Sequence, residues 1–360
     1  MIPLCKPIFT KEMENALVHA MNNERFVLGE SVLKFEEEFA KYIGTDYAVS
    51  TGSGTHALQL VLEAYTQNNY HGEVITTPAT FVATSSAIYH SGNAPVFADI
   101  DYMSRNISPT MMQKRITGKT IAVMPVHLYG NPADMDRINE IAKRRKLLVI
   151  EDACQAHGAF YGKKKAGNLG DAGCFSFYST KNITVCGDGG MVTTNDEKLA
   201  TAVRSLRHCG RKTAFEHEYI GHTSRLNNGN ASIGRVQLKY LDGWVRKRQK
   251  IADFYSRSLR GIAGFSTPTV NQKSMSAWHL YACTTGKRDE LFDHMEKNGI
   301  QCAKNYPIPV HKQPAYSMFS KQKYPNAERL SKEVICLPMF PDLEDSELKK
   351  IVEAIQEFFA

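Results

Sequence analysis

The chain has 360 residues, 42% of them hydrophobic, and a formal net charge of +7. That length exceeds the usual single domain, so one large core with a smaller one beside it is expected, and the composition is that of an ordinary soluble globular enzyme. The positive excess is densest in KRRK (143–146) and RKRQK (246–250), each inside a helical pattern and without interleaved aromatics, so both read as solvated helix faces and not as a nucleic-acid site.

Eight cysteines are scattered from Cys5 to Cys336 with no C-x-x-C and no paired histidine spacing, which speaks against a zinc site or a disulfide scaffold and for reduced thiols in the cytoplasm. The first residues, MIPLCKPIFTKEMENAL, lack an apolar signal core, and no apolar run is long enough to span a membrane. A soluble, cytoplasmic chain without membrane contact is the expectation.

In chain order, Val32, Phe35 and Phe39 recur at helical spacing and predict a helix ending at Gly44. Alternation follows: YAVS as a strand, THALQLVLEAY as a helix with Leu58, Val61 and Leu62 inward, EVITT as a strand, VATSSAIYHSG as a helix, APVFADI as a strand. TIAVMPV, the helix DMDRINEIAKRRK and the strand LLVIED continue it; then come two hairpin-like runs, CFSFYS and GGMVTTN, and the helix EKLATAVRSLRH. Strands separated by helices of this length predict a doubly wound, mostly parallel α/β/α sheet. Past about residue 240 the texture changes to a long polar helix, GRVQLKYLDGWVRKRQKIADFYSRSL, then Pro-containing strand-like pieces and a terminal helix from Glu344. Residues 1–249, N-terminal helices included, read as a large cofactor-binding domain and 250–360 as a small C-terminal α/β domain.

In sheets of this kind ligands bind beyond the carboxyl ends of the strands, where the Gly52–Thr55 turn, His127 and Asp152 all fall. Gly52, Gly54 and Ala57 fit the dinucleotide fingerprint, but such a site needs a carboxylate at the end of the second strand, and that strand ends ITTPAT. A dinucleotide-dependent oxidoreductase therefore yields to a single phosphate received by a helix N-terminus. Lys181, flanked by strand-like apolar sequence in FSFYSTKNITVCGDGGMVTT, fits a desolvated nucleophilic amine, against the alternative of a solvated surface charge. Asp152 at the end of an apolar strand calls for a cationic partner, such as a pyridinium N–H, or else caps the next helix. A phosphate turn, a sheltered lysine and a strand-end aspartate are together what pyridoxal phosphate needs.

The blocks TGSGTHAL, TPATFVATSSAI, DIDYMSRNIS, PVHLYGNPADMD, VIEDACQAHGAFYGKKKAGNLGDAGCFSFYSTKN, GDGGMVTTND, SRLNNGNASIGRVQL, NYPIPVHKQPAY and CLPMFPDL resemble, in order and over nearly the whole chain, the DegT/DnrJ/EryC1/StrS sugar aminotransferases. The resemblance implies the fold-type-I architecture and pyridoxal 5'-phosphate as cofactor, with pyridoxamine 5'-phosphate as its aminated form. The substrates it implies are an amino-acid donor, L-glutamate, and a nucleotide-linked keto sugar. By the same resemblance Lys181 carries the cofactor covalently and shuttles the proton, Asp152 meets the pyridinium and Gln155 lies beside the phenolic oxygen. Ser176 and the backbone at Gly54 and Thr55 form the phosphate cup. Phe81 stacks on the ring, although packing of a helix start is the alternative. His127 and His311 lie in blocks near the sugar, with a ring satisfied by the backbone as the alternative. Arg225 faces the site or pairs with a carboxylate.

Two positions depart from the family pattern: Thr223 replaces an asparagine that reaches the neighbouring subunit's phosphate, and Asn305 replaces a histidine before Tyr306. The resemblance also implies a homodimer with shared active sites. A dehydrating branch of the family has histidine in place of the lysine, which Lys181 argues against. A sensor or transcriptional regulator that keeps the fold without turnover is the rival from another class.

Overall fold

The computed structural model describes residues 1–66, 71–319 and 322–360. Helices α1 (Lys11–Asn23) and α2 (Glu30–Ile43) precede β1 (Tyr47–Thr51), α3 (Gly54–Thr66), β2 (Glu73–Thr76), α4 (Ala83–His90), β3 (Ala94–Phe97), α5 (Pro109–Lys114), β4 (Thr120–Val123), α6 (Met135–Arg145) and β5 (Leu148–Asp152). The short β6 (Phe160–Tyr161) and β7 (Lys164–Lys165) lead to β8 (Ala172–Ser176), β9 (Gly190–Thr194), α7 (Glu197–Leu206) and α8 (Asn228–Ser258). The rest holds β10 (Phe265–Ser266), β11 (Ser274–Met275), β12 (Tyr281–Thr285), α9 (Arg288–Lys297), α10 (Pro325–Glu333), β13 (Val334–Leu337) and α11 (Asp345–Phe359). None of the described helices is long and apolar enough to cross a membrane.

The central sheet has seven strands in the order β1-β9-β8-β5-β4-β2-β3. Only β9 runs against its neighbours, pairing antiparallel with both β1 and β8; every other pairing in this sheet is parallel. The period of two sends alternate side chains to opposite faces. Along β8 and just past it, Phe175 and Phe177 pack under α2 and α8 with Phe35, Phe39 and Leu241, while Ala172 and Cys174 pack under α3 and α7 with Leu58, Val61, Leu62 and Leu199. The result is a three-layer α/β/α body. Helix α2 stops where expected, at Gly44, whose φ of 86° lets its N–H reach back 2.8 Å to the Ala40 carbonyl.

A second sheet, β10-β12-β13, is antiparallel throughout and backs onto a core of Tyr255, Tyr281, Leu291, Met295, Ile351 and Ile355. Helix α8 joins the two bodies: Ile233 and Val236 pack beside α1, Leu241 and Val245 sit in the core of the large sheet, and Ile251, Ala252 and Tyr255 sit in the second core. The N-terminus returns to that second core, where Ile2 bridges to Ile300. Helix α11 opens with a capping box between Glu344 and Glu347.

Candidate functional site

The carboxyl ends of β1, β5 and β8 converge. After β1 the chain turns at Gly52 and enters α3 at Gly54, and Ser53 Oγ accepts the His56 N–H at 3.2 Å. The first-turn N–H groups of Gly54 and Thr55 find no acceptor among the described residues, leaving donors and the positive end of the helix dipole for an anion. A side chain on Gly54 would place its Cβ 2.6 Å from Ser176 Cβ and 2.9 Å from Cys154 Sγ, so only glycine lets the turn lie against the end of β8. Ser176 thereby stands beside the open helix start. On the other side, Ser224 Oγ accepts the Gly52 N–H at 3.0 Å.

Asp152 ends β5 and is buried. Thr84 Oγ1 donates to its Oδ2 at 2.7 Å and the Cys154 N–H to its Oδ1 at 3.2 Å, but among the described residues no cationic side chain is ion-paired with it. A buried carboxylate held by two neutral donors leaves its charge uncompensated. Lys181 sits partly buried in the loop after β8; burial pushes its amine pKa down, opposed by Cys154 and Asp152. Val185 and Cys186 in the same loop take positive φ, 44° and 54°, and Gln237 of α8 pins the loop by accepting the N–H groups of Thr184 at 2.9 Å and Val185 at 3.2 Å. Behind the lysine, burial and then the Lys181 charge push His157 down to about 3, and the same two causes hold His279 well below its ordinary value.

Phe81 precedes α4 and is 53% exposed, so its ring is not spent on core packing; it faces Tyr306 at 5.8 Å between centroids. One helical turn on, Thr84 makes the Asp152 contact, which ties the exposed ring to the carboxylate. Gln155 is buried, accepts the Tyr129 N–H at 2.7 Å and donates to the Tyr306 hydroxyl at 3.1 Å.

The remaining candidates lie elsewhere. His127 has no exposed surface: Nδ1 accepts the Ala133 N–H at 3.1 Å and Nε2 meets Glu151 at 2.9 Å. Glu151 in turn takes the N–H groups of Gly167, Leu169 and Gly170 at 2.6–2.8 Å. With both nitrogens engaged, His127 has nothing to offer a sugar, and the sequence expectation is corrected: it braces the scaffold one residue from Asp152. His311 is equally enclosed, its Nε2 3.2 Å from Glu328 and its ring edge-on to Tyr324. Arg225 pairs with the His208 ring at 3.2 Å, a partner that neither the site-facing nor the carboxylate-paired alternative named. Thr223 is exposed, with its hydroxyl 3.4 Å from Cys209 Sγ.

The donor set suits pyridoxal phosphate on four counts: an open helix start beside a serine for phosphate, a buried anion lacking a cation, a primary amine with lowered affinity for its proton, and an exposed aromatic ring. Sequence reasoning missed Thr84, Tyr129, Tyr306 and the two buried histidines; for Thr84 the signal was there, three residues after Phe81.

A 40% identical relative from Geobacillus stearothermophilus, named a pleiotropic regulatory protein, aligns with 97% of this chain and 94% of its own length. A dTDP-3-amino-3,4,6-trideoxy-alpha-D-glucose transaminase of Streptomyces venezuelae is 37% identical over 96% of this chain and 92% of its own. Among solved structures, S. venezuelae DesV in complex with a ketimine intermediate superposes with a TM-score of 0.95 at 36% identity, covering 99% and 98% of the two chains. Residues 7–356 match the profile of the DegT/DnrJ/EryC1/StrS aminotransferase family, and the chain belongs to that family.

Proposed function

We propose that the chain moves an amino group from L-glutamate to the keto group of a nucleotide-linked sugar. The observation that carries the reading is the partly buried Lys181 amine of lowered proton affinity near the buried Asp152 carboxylate, which has no ion-paired cation among the described residues, beside an open helix start. The enzyme is a pyridoxal-phosphate-dependent sugar aminotransferase, with pyridoxamine phosphate as the cofactor's second form. When bound, that cofactor supplies an electron sink that stabilises negative charge at the carbon losing its proton.

The rest is the work of this chain's residues. Gly54, Thr55 and Ser176 would receive the phosphate, Phe81 would support one face of the ring, and Gln155 would lie beside the phenolic oxygen. Asp152 would keep the ring nitrogen protonated, since a carboxylate lacking a counter-ion favours a cation next to it. Lys181 would hold the cofactor covalently through its amine and, once released, move a proton at the reacting carbon. Its low proton affinity suits both tasks, because the neutral amine is the nucleophile and the base.

The homodimer and the role of Thr223 at a neighbouring phosphate belong to this proposal, as does the division at residues 249 and 250, near which α8 changes core. A cytoplasmic location goes with eight unpaired thiols. The regulator name of one relative finds no support in a site that combines a sheltered amine with a buried carboxylate. Borohydride reduction followed by peptide mass spectrometry tests the reading: the expected result is a yellow protein, bleached on reduction, with the adduct on Lys181. An adduct on another lysine, or turnover of keto sugars by Lys181→Ala, would overturn it.

A further inference from the structure

Tyr306 belongs to no element of the large sheet, yet it touches two residues of the pocket. Its hydroxyl takes the hydrogen bond from Gln155 Nε2 at 3.1 Å, and its ring lies 5.8 Å from that of Phe81 at an interplanar angle of 38°. The backbone around it is stitched to the large domain on both sides. Tyr129 donates its hydroxyl to the Asn305 carbonyl, and the Val310 N–H donates to the Pro78 carbonyl at 2.9 Å. Tyr129 also closes the circuit, since its own N–H goes to Gln155 Oε1 at 2.7 Å. The two ends of the Gln155 amide are therefore distinguished: the oxygen is fixed by a backbone donor, the nitrogen by a phenol. Burial pushes the Tyr306 phenol up, so it stays protonated at neutral pH.

We infer that Tyr306 is a positioning residue of the cofactor pocket, orienting the Gln155 amide with its NH₂ group available and backing the exposed Phe81 ring. The inference rests on the site being a pyridoxal phosphate pocket. One Nε2 hydrogen is committed to Tyr306; the other remains for the cofactor's phenolic oxygen, where a fixed donor favours the deprotonated form. Without the tyrosine hydroxyl the amide keeps one anchor and is free to turn about its last torsion. The anchor reaches from the segment that follows β12 and α9 into a site built by β5 and α4, so the position of that segment is coupled to the electronics of the ring.

The test compares Tyr306→Phe, Gln155→Ala and the double variant. Pyridoxal phosphate titration of the apo-protein should show affinity lowered about two- to tenfold by Tyr306→Phe, the equivalent of one neutral hydrogen bond. The pH midpoint of the bound chromophore's absorbance change should rise, since the phenolic oxygen loses a fixed donor, and borohydride should still place the adduct on Lys181. In the Gln155→Ala background the same change should do nothing further to either quantity. An unchanged midpoint and affinity in Tyr306→Phe, or effects that simply add in the double variant, would overturn the inference. The same cycle run by denaturant unfolding of cofactor-free protein reads the Gln155–Tyr306 contact directly, and coupling is expected there. A wild-type chain that takes up no pyridoxal phosphate would instead sink the functional reading, whatever the unfolding cycle shows.

Discussion

Burial pushes the Lys181 amine below its ordinary proton affinity, and its neighbours Cys154 and Asp152 only partly restore it. An unfolded lysine keeps its proton to about pH 10.4, so between the folded and unfolded values the unfolded chain binds the extra proton. Stability must then rise with pH through that window. Below the folded value both states are charged, and the folded state bears the whole cost. Lys181→Met should accordingly melt higher than wild type when both are cofactor-free at neutral pH, with the gap closing as the pH approaches that of free lysine. Thermal melts across that range check it; a gap independent of pH would mean that the methionine gains by packing alone. His157 titrates with the same sign in a lower window, so the pocket as a whole favours neutral bases.

The site depends on strand ends meeting a helix start, and Gly54 is the point of closest approach. Adding one methyl there brings Cβ to 2.6 Å from Ser176, an overpacking contact worth about 1–3 kcal/mol. Gly54→Ala should lose stability of about that size and weaken pyridoxal phosphate binding, whereas Gly118→Ala, with nothing near its Cβ position, should change neither. Denaturant unfolding and cofactor titration check both; wild-type affinity in Gly54→Ala would remove the cup from α3. Elements with a clean apolar period, such as α2, α6 and α7, were legible because their buried faces repeat every third or fourth residue, whereas α3 is buried on all sides from Ala57 to Leu62. Helix α8 begins at Asn228, six residues before the predicted Gly234, because Asn227 accepts the Asn230 N–H at 2.9 Å and the cap outweighs weak helix formers. Two-residue strands such as β10 and β11 carry no period to read. Lys181, Asp152 and the glycine turn could be found because strand ends mark ligand sites. His127 also follows a predicted strand, but its partner Glu151 is satisfied by a loop at residues 167–170, a tertiary contact that spacing does not encode. Tyr306 was invisible for the same reason, lying 151 residues from Gln155.

At the scale of the whole molecule, the segment from His208 to Arg225 leaves the body after α7 and returns to Gly52 through Ser224. Its outer part carries Phe215 and Ile220 at 96% and 101% exposure, apolar side chains that gain most from a protein surface to cover them. Ser224 is fixed to its own chain's turn, while the adjacent Thr223 is exposed and, among the described residues, its hydroxyl meets nothing stronger than Cys209 Sγ. If the proposed homodimer completes each pocket with the partner's Thr223, two dead chains should rescue one another. Lys181→Ala lacks the amine; Thr223→Asp sets a carboxylate against the phosphate. In a mixed dimer one pocket combines both lesions and the other combines none. Random reassembly makes half the dimers mixed, each with one working pocket of two, so about a quarter of wild-type activity should return. Co-refolding the two variants at equal amounts and assaying amino transfer to a nucleotide-linked keto sugar reads this directly. If Thr223 serves its own chain's phosphate, the mixture stays as inactive as its parts. A Thr223→Asp chain with full activity on its own would remove Thr223 from the phosphate altogether, and a fully active monomer in sedimentation would remove the shared site with it.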